Sequence, residues 1–551
     1  MRPLALPLVV SAAFLVGCGC LGWWGDDDAP ADTGQATSPT PSEWTPQYED
    51  LALWPQDLTV SPGSSWSMRV VGTRGDGTQA VLEATYGSED ESVVSINGLG
   101  TATSVGAGST VVSAWADDLE ASATVTVTDS GLMEVQLISA ETAQPIPDAV
   151  VSVDGVEGTT DGAGWASVEV ADGRAVEVLA WDPLGEHITT HVLDVVPRQW
   201  VLPLEPSERL DAMASGDINL DGVPQAKLGQ RRVGIVGPRL RKGPLLVSLD
   251  ELFGPTRSVE LLGFDVELPQ NLWVAGDAED YAADLPAGES GLWTLGGPVS
   301  LADVAAAGDD LGRLVAVFVD HADNLVYDLQ DVQTAEDADI DVGLDPAQPF
   351  DDAVVVPLPE VPAGFVEQDA LVFVMAGTGD AGPAVVGLGM GSDEATALRV
   401  SADALGMHGA GRVSALVQRD GLGGGGSLSV SSGPIVAGEA SLRPYLSEVG
   451  LTDFDGSTRS FTLNADGRAT VTRLRVTSSN GQARIVWTRG GYQAVTLAAG
   501  GTDMGWGATT WDVDALETLD GTWESLLVDG WLTDLALRDA AVAAARSKVS
   551  F

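Results

Sequence analysis

The segment Ser215-Gly216-Asp217-Ile218-Asn219-Leu220-Asp221-Gly222 sets three side-chain oxygens at alternate positions ahead of a glycine. Oxygens at positions 1, 3 and 5 of a loop wrap a single hard cation, and the glycine permits the sharp turn. Asp217, Asn219 and Asp221 are therefore candidate calcium ligands. The second half of such a loop is missing, because position 12 is Leu228 rather than Glu. A carboxylate from elsewhere in the fold would have to complete the shell; the plainer reading is an acidic turn. Asp337, Asp339, Asp341 and Asp345 repeat the spacing, with Val342 where glycine is wanted.

Other patterns carry less chemistry. His187 and His191 stand four apart, the spacing that puts two zinc ligands on one helix face. The residues between them, Ile188, Thr189 and Thr190, are β-branched and read as strand. At about 3.3 Å per residue the two rings start ~13 Å apart, too far for one ion with bonds of ~2.1 Å. Gly387, Gly389 and Gly391 follow an apolar run, as in a dinucleotide loop. The third glycine falls one place early and no clear helix follows, so a β-turn is expected. The sequence holds no GxSxG elbow, no HExxH and no Walker loop. Catalytic triads assemble from distant residues, so an enzyme is not excluded, but none of these motifs supports one.

The two cysteines of the chain, Cys18 and Cys20, follow a short apolar run. Met1-Arg2-Pro3 carries one positive charge and precedes Leu4 to Val16, 13 apolar or small residues. That run is too short for a bilayer span, which needs about 20 residues. It has the form of a secretory signal peptide. Leu15-Val16-Gly17-Cys18 then resembles a bacterial lipobox. The resemblance implies cleavage before Cys18, a diacylglyceryl group on its thiol and acylation of the new amino group. The alternative is an ordinary signal peptide with two incidental cysteines. Two or more acyl chains anchor stably where one binds only marginally. Gly19 is not the aspartate that resembles an inner-membrane retention signal, so outer-membrane delivery is expected. No cysteine lies downstream of Cys20, so the body has no internal disulfide. A CxC pair alone is two ligands short of a tetrahedral zinc site.

Composition sets further bounds. The 551 residues carry 80 acidic and 27 basic side chains, a net charge of −53, with lysine only at Lys227, Lys242 and Lys548. Nucleic-acid and anionic-headgroup binding depend on Lys and Arg, so no nucleic-acid partner is expected. Scattered Asp and Glu read first as a solvated surface. A hydrophobic content of 44% supplies several cores.

The elements that must position these residues are strands. Residues 18–50, rich in Pro, Thr, Ser and Asp, form a lipidated disordered tether. About 30 flexible residues have a root-mean-square span of roughly 30 Å. From Leu51 onward, short Val/Thr/Ser runs alternate with Gly, Asp and Asn, as in Thr124 to Thr128. This is strand texture at sandwich spacing. "SEDESVVSINGLGTATSVGAGSTVVSAWADDLEASATVTV" resembles the bacterial Ig-like family of the group 2 type, over residues 51–129, with Tyr86 where the family often has Trp. The family's role as a spacer or adhesive module is what this resemblance implies. "ISAETAQPIPDAVVSVDGVEGTTDGAGWASVEVADGRAVEVLAWDP" resembles the carboxypeptidase-regulatory, transthyretin-like family, a non-catalytic sandwich. Its carrying residues are Pro147 to Val151 and Thr160 to Gly164. Asp161-Gly162 suits a tight turn and Gly164 a positive φ.

The expected fold class is all-β: tandem β-sandwich domains, Ig-like and transthyretin-like, then a larger β-rich C-terminal region with a short terminal helix. The expected divisions are 1–17 signal peptide, 18–50 tether, 51–129 Ig-like domain, 130–206 carboxypeptidase-regulatory-like sandwich, 207–445 β-rich domain, and 446–551 β-rich domain with a terminal helix in "TDLALRDAAVAAARSKV". Strands are expected at "LVAVFVD" and at "RLRVTSS" and "QARIVWT" around an Asn480-Gly481 hairpin turn. A local helix is expected at Ser300 to Gly308. The function expected is that of a lipid-anchored cell-envelope protein with a structural, adhesive or ligand-binding role. Its expected partners are the membrane, through the lipid, and an envelope protein or polysaccharide. The alternatives are an envelope hydrolase with its site in 207–551 and a calcium-stabilised binding domain. Calcium is the one cofactor the patterns admit.

Overall fold

The computed structural model describes residues 48–550 except 76–78, 117, 172–173, 208–210, 240–255, 262–263, 270–271, 275–279, 287, 308–310, 336–338, 366–368, 377–381, 402–410, 419–426, 492, 498–508, 520, 534–535 and 538–539. The signal segment, Cys18, Cys20, nearly all of the tether and Asp337 lie outside the described residues. Gln47–Phe551 form one compact unit. It is all-β apart from a few short helices.

The first sandwich is built from Asp50–Trp54, Arg69–Thr73 and Gln79–Leu82 on one side and Asp57–Val60, Leu119–Val127, Gly108–Ala116 and Thr85–Ser88 on another. Period-2 alternation places Val125 and Val127 in its core, with Leu58, Val60, Trp66 and Val112. In the second sandwich, Leu132–Ser139 pairs with Trp165–Glu169 and with Gln199–Leu204. Gly164 has a φ of +78°, and a Cβ there would lie 2.5 Å from the Leu137 carbonyl, so the turn requires glycine.

The second sandwich does not end at its own edge. Its strand Thr189–Val195 pairs in parallel with Ala483–Arg489, Thr189 opposite Arg484 and Val192 opposite Trp487. The sheet that contains this seam has 15 described strands, and from the seam it runs on through Val471–Ser478, Thr509–Thr518, Ala541–Ser550 and Leu428–Val436. Beyond Leu428–Val436 it closes on itself. Arg412–Gln418, Ala370–Ala376, Ala384–Gly391, Glu394–Arg399, Asp352–Pro357 and Glu439–Ala440 lead back to Leu428–Val436 in a hydrogen-bonded ring. Strands on the two sides of residue 445 therefore share one ladder.

Three local expectations change. The terminal helix is confined to the first part of its expected span, where Ala536, Leu537 and Ala540 are helical; the alanine-rich remainder is a strand, Ala541–Ser550, although alanine is the best helix former. It lies between Thr509–Thr518 and Leu428–Val436 and pairs with both. A helix there would leave two rows of buried backbone groups unpaired. Its small side chains serve two cores at once, Ala541 and Ala544 on one face and Ala543 and Ala545 on the other. The reverse change occurs at Leu311–Val319, which is a helix and not a strand. Leu314, Val315 and Phe318 stand at helical spacing and are buried, and a short apolar run fits either period. Gly387, Gly389 and Gly391 lie within the strand Ala384–Gly391, not in a loop. A Cβ on Gly389 would lie 2.8 Å from the Ala397 Cα, so the glycines let two strands approach closely. The helix at Leu301–Ala307 and the turn at Asn480-Gly481 form as expected, with Gly481 at φ +82° between Val471–Ser478 and Ala483–Arg489.

Candidate functional site

The calcium pattern folds into a turn at the end of a strand. Asp217 ends the strand Asp211–Asp217. Asn219 caps the short turn Leu220–Gly222, its side-chain oxygen accepting from the Asp221 N–H at 2.9 Å. The Asp221 carboxylate, largely exposed, stands 3.8 Å from the Arg232 guanidinium. The fold brings the second acidic segment alongside. Asp339–Asp341 pairs in parallel with Asp211–Asp217, and Leu344 bridges Ile218. The Asp345 N–H donates to Asp328. Sequence alone gave no sign that these two segments are neighbours. Even so, their carboxylates do not gather within ligand distance of one another among the described residues.

One described group has that spacing: Asp182, Glu186 and His187, whose ligand atoms lie within 4.8 Å of one another. Asp182 is buried; one of its oxygens accepts the Leu184 N–H at 2.8 Å and the other meets His187 Nδ1 at 3.1 Å. Both carboxylate oxygens are thus used to lock a turn. His191 belongs to a separate site, fully buried with Nε2 against the Glu177 carboxylate. The two histidines do not converge.

His191 sits in a dry environment. Burial pushes its pKa down, and the nearby Arg484 and Arg459 push in the same direction against Glu177. The folded protein therefore favours neutral imidazole. The unfolded chain binds the proton more readily, so stability is lost as pH falls below the ordinary histidine value of about 6.5. Thermal melts across pH 7.5 to about 5 should show this loss, at most about 1.4 kcal/mol per pH unit for one proton. His191→Leu should flatten that part of the profile; an unchanged slope would assign it to other groups.

Sequence reading missed a ladder of charge, one rung of which is buried. Arg473 stands opposite Asp514, and Asp514 opposite Arg546, on three neighbouring strands. The Arg473 and Arg546 guanidiniums approach Asp514 at 2.9 and 2.5 Å. The next rung sets Arg475 opposite Asp512 and Asp512 opposite Lys548. Glu205, just past the second sandwich's last strand, reaches Arg475 at 3.0 Å and Arg473 at 3.7 Å. A signal was present: "RLR", "DVD" and "RSK" each place like charges two residues apart, on one face of a strand.

Where the two sandwiches meet the end of the chain lies a groove of about 290 Å³. The strands Asp57–Val60 and Gln199–Leu204 approach at one point, where the Arg198 N–H donates to the Thr59 carbonyl at 2.7 Å. Arg198 is buried and also donates to Ser61 and to the Ala171 carbonyl. One wall presents Asp57, Thr59, Thr124 and Thr126, which are paired across the ladder. The other presents Trp165, Gln199 and Val201. The end is closed by Val528, the last residue of the helix Trp523–Val528.

That helix is fixed from both sides. Thr522 and Ser525 form a reciprocal capping box at its start. The Trp523 indole donates to the Asp194 carbonyl at 3.0 Å. Arg69 of the first sandwich donates to the carbonyls of Thr518 and Gly521 at 2.9 and 3.0 Å. Trp54 packs on Trp531, with ring centroids 6.1 Å apart. The groove walls are thereby held at a set separation.

The fold and these sites define an all-β protein whose two N-terminal sandwiches are joined to its C-terminal sheet. No family model and no curated protein matches the chain. Among solved structures, domains 5–6 of the S-layer protein SbsC are similar at 14% identity, over 45% of this chain and 91% of that one, with a TM-score of 0.16. A tetra-tandem repeat from the extending region of a large adhesion protein is similar at 11% identity, over 91% of this chain and 99% of that one, with a TM-score of 0.13. A streptococcal ancillary pilin is similar at 9% identity, over 57% and 99%, with a TM-score of 0.12. At such TM-scores these likenesses carry no argument about function.

Proposed function

We propose that the protein is a lipid-anchored component of the bacterial cell envelope with a structural and adhesive role, delivered to the outer membrane. The observation that carries this reading is Leu15-Val16-Gly17-Cys18 directly after a charged start and a short apolar run. A Pro/Thr/Ser/Asp-rich segment follows, suited to a tether. Beyond it, one sheet of the second sandwich continues into the C-terminal strands, and that continuity supports a load-bearing or display role. Pulling on one sandwich loads the Thr189–Val195 to Ala483–Arg489 seam and the Arg69 contacts together. No described helix is long and apolar enough to cross a membrane.

Radiolabelled palmitate in growing cells tests the anchor. The wild-type chain should take up label and sediment with membranes, and Cys18→Ala should lose both. Label that persists undiminished in Cys18→Ala would overturn the assignment.

A further inference from the structure

We propose that the groove between the two N-terminal sandwiches binds a short, neutral saccharide, with Trp165 as its stacking surface. This rests on the adhesive reading above and names the ligand class for it. Ligand sites favour domain junctions and run from about 300 Å³ upward. At about 290 Å³ the groove matches the small end of that range. It suits a piece of an oligosaccharide better than a protein segment.

The lining selects the chemistry. Trp165 is half-buried on an outward-facing strand position, so a broad aromatic face is in place at little entropic cost. Pyranose rings present an apolar C–H face that such a surface covers. Thr59, Thr124 and Thr126 offer hydroxyls that both donate and accept, and Gln199 offers an amide. Asp57 supplies carboxylate oxygens that accept from sugar hydroxyls. Asp529, directly after Val528, is close enough to Asp57 for the two like charges to oppose one another; burial first, and then Asp57, raise its pKa. No Lys or Arg is among the groove's lining residues. An anionic ligand would meet uncompensated carboxylates, whereas a neutral polyhydroxylated one finds acceptors for its donors. Trp200, between Gln199 and Val201, faces the other way, into the core of the second sandwich, and fixes the strand that carries them.

The walls are also preorganised. The Arg198 contacts pin the two edge strands at the groove's inner end, and the capped helix closes the other. Little ordering remains to oppose binding.

Calorimetry and tryptophan fluorescence with the whole body of the protein test this. Maltotetraose, cellotetraose and chitotetraose are the neutral probes, and polygalacturonate is the anionic control. At least one neutral probe should bind with a Kd near or below about 1 mM. Trp165→Ala should weaken that binding about tenfold, and Thr126→Val should weaken it less, with both melting temperatures within a few degrees of wild type. Silence from all three neutral probes would overturn the proposal. So would equal binding by Trp165→Ala, or tighter binding of polygalacturonate. Palmitate labelling is independent of the groove, so failure of the saccharide reading leaves the anchor intact, and the reverse also holds.

Discussion

Asp514→Ala should destabilise the protein by about 3–5 kcal/mol, the cost of leaving buried charge without its partner. Asp514 is 1% exposed and is the only anion between Arg473 and Arg546 in the rung they share. Burial alone would raise its pKa, and the two guanidiniums more than reverse this, so it sits below the ordinary aspartate value. Its contribution is present above about pH 3.9, the unfolded value. It is lost as pH falls through the depressed folded value. Removing the carboxylate exposes each guanidinium to its neighbour's charge in a site with little water. Urea unfolding at pH 7 measures the loss. The triple change Arg473→Met, Asp514→Leu and Arg546→Met should recover most of it, because apolar replacement of a buried triad is often neutral or better. A wild-type midpoint for Asp514→Ala alone would show that the rung contributes nothing.

Trp511→Ala should cost a similar amount, about 3–5 kcal/mol. Trp511 is 0% exposed and lies edge-on against Phe454 and Phe461, with ring centroids at 5.2 and 5.1 Å and planes inclined at 65° and 66°. Edge-to-face contacts of this kind add to the area buried. Its indole N–H donates to the Thr509 hydroxyl at 2.8 Å. Alanine would leave a cavity between the sheet Ser460–Asn464 belongs to and the one it covers, and would also orphan a buried hydroxyl. Trp511→Phe should lose less, since a ring still fills the space. Thermal melts of the two variants, read beside wild type, give the order. A smaller loss for alanine than for phenylalanine would contradict this account.

The two changes act on opposite faces of one strand. Asp514 faces the charged rung, and Trp511 and Val513 face the second core. Thr509–Thr518 therefore couples the seam with the second sandwich to the packing of the C-terminal sheet. The charge ladder carries more than local stability. Glu205 ties it to the second sandwich, whose outer face forms one wall of the groove. Loss of Asp514 should thus be felt at the junction, although it touches no groove residue.

How much of this was readable in advance differs from element to element. The alternation of Thr124 to Thr128 marked a half-buried strand, and its buried and outward faces follow from that alone. The Asn480-Gly481 turn was equally plain, because a residue at positive φ between two β-rich runs has few other uses. Leu311–Val319 and Ala541–Ser550 were misread in opposite directions. In both, the local pattern suits two structures, and neighbours chosen from far along the chain settle which one forms. Asp217 and Asp341 illustrate the same limit for a site. Each motif could be seen, but their adjacency depends on a parallel pairing across more than 100 residues.

Composition and pattern by themselves determined the strand-rich class and the acidic surface. These depend on side-chain type and short-range period, which any stretch of chain carries with it. The tertiary structure decided the seam between Thr189–Val195 and Ala483–Arg489, the burial of Asp514 between two arginines, and the groove beside Trp165. Each of these joins residues from separate parts of the chain. A strand's pattern states which face is apolar but not which edge will pair with it. The partner is set when buried backbone groups on many strands compete for hydrogen bonds and only one arrangement satisfies them together.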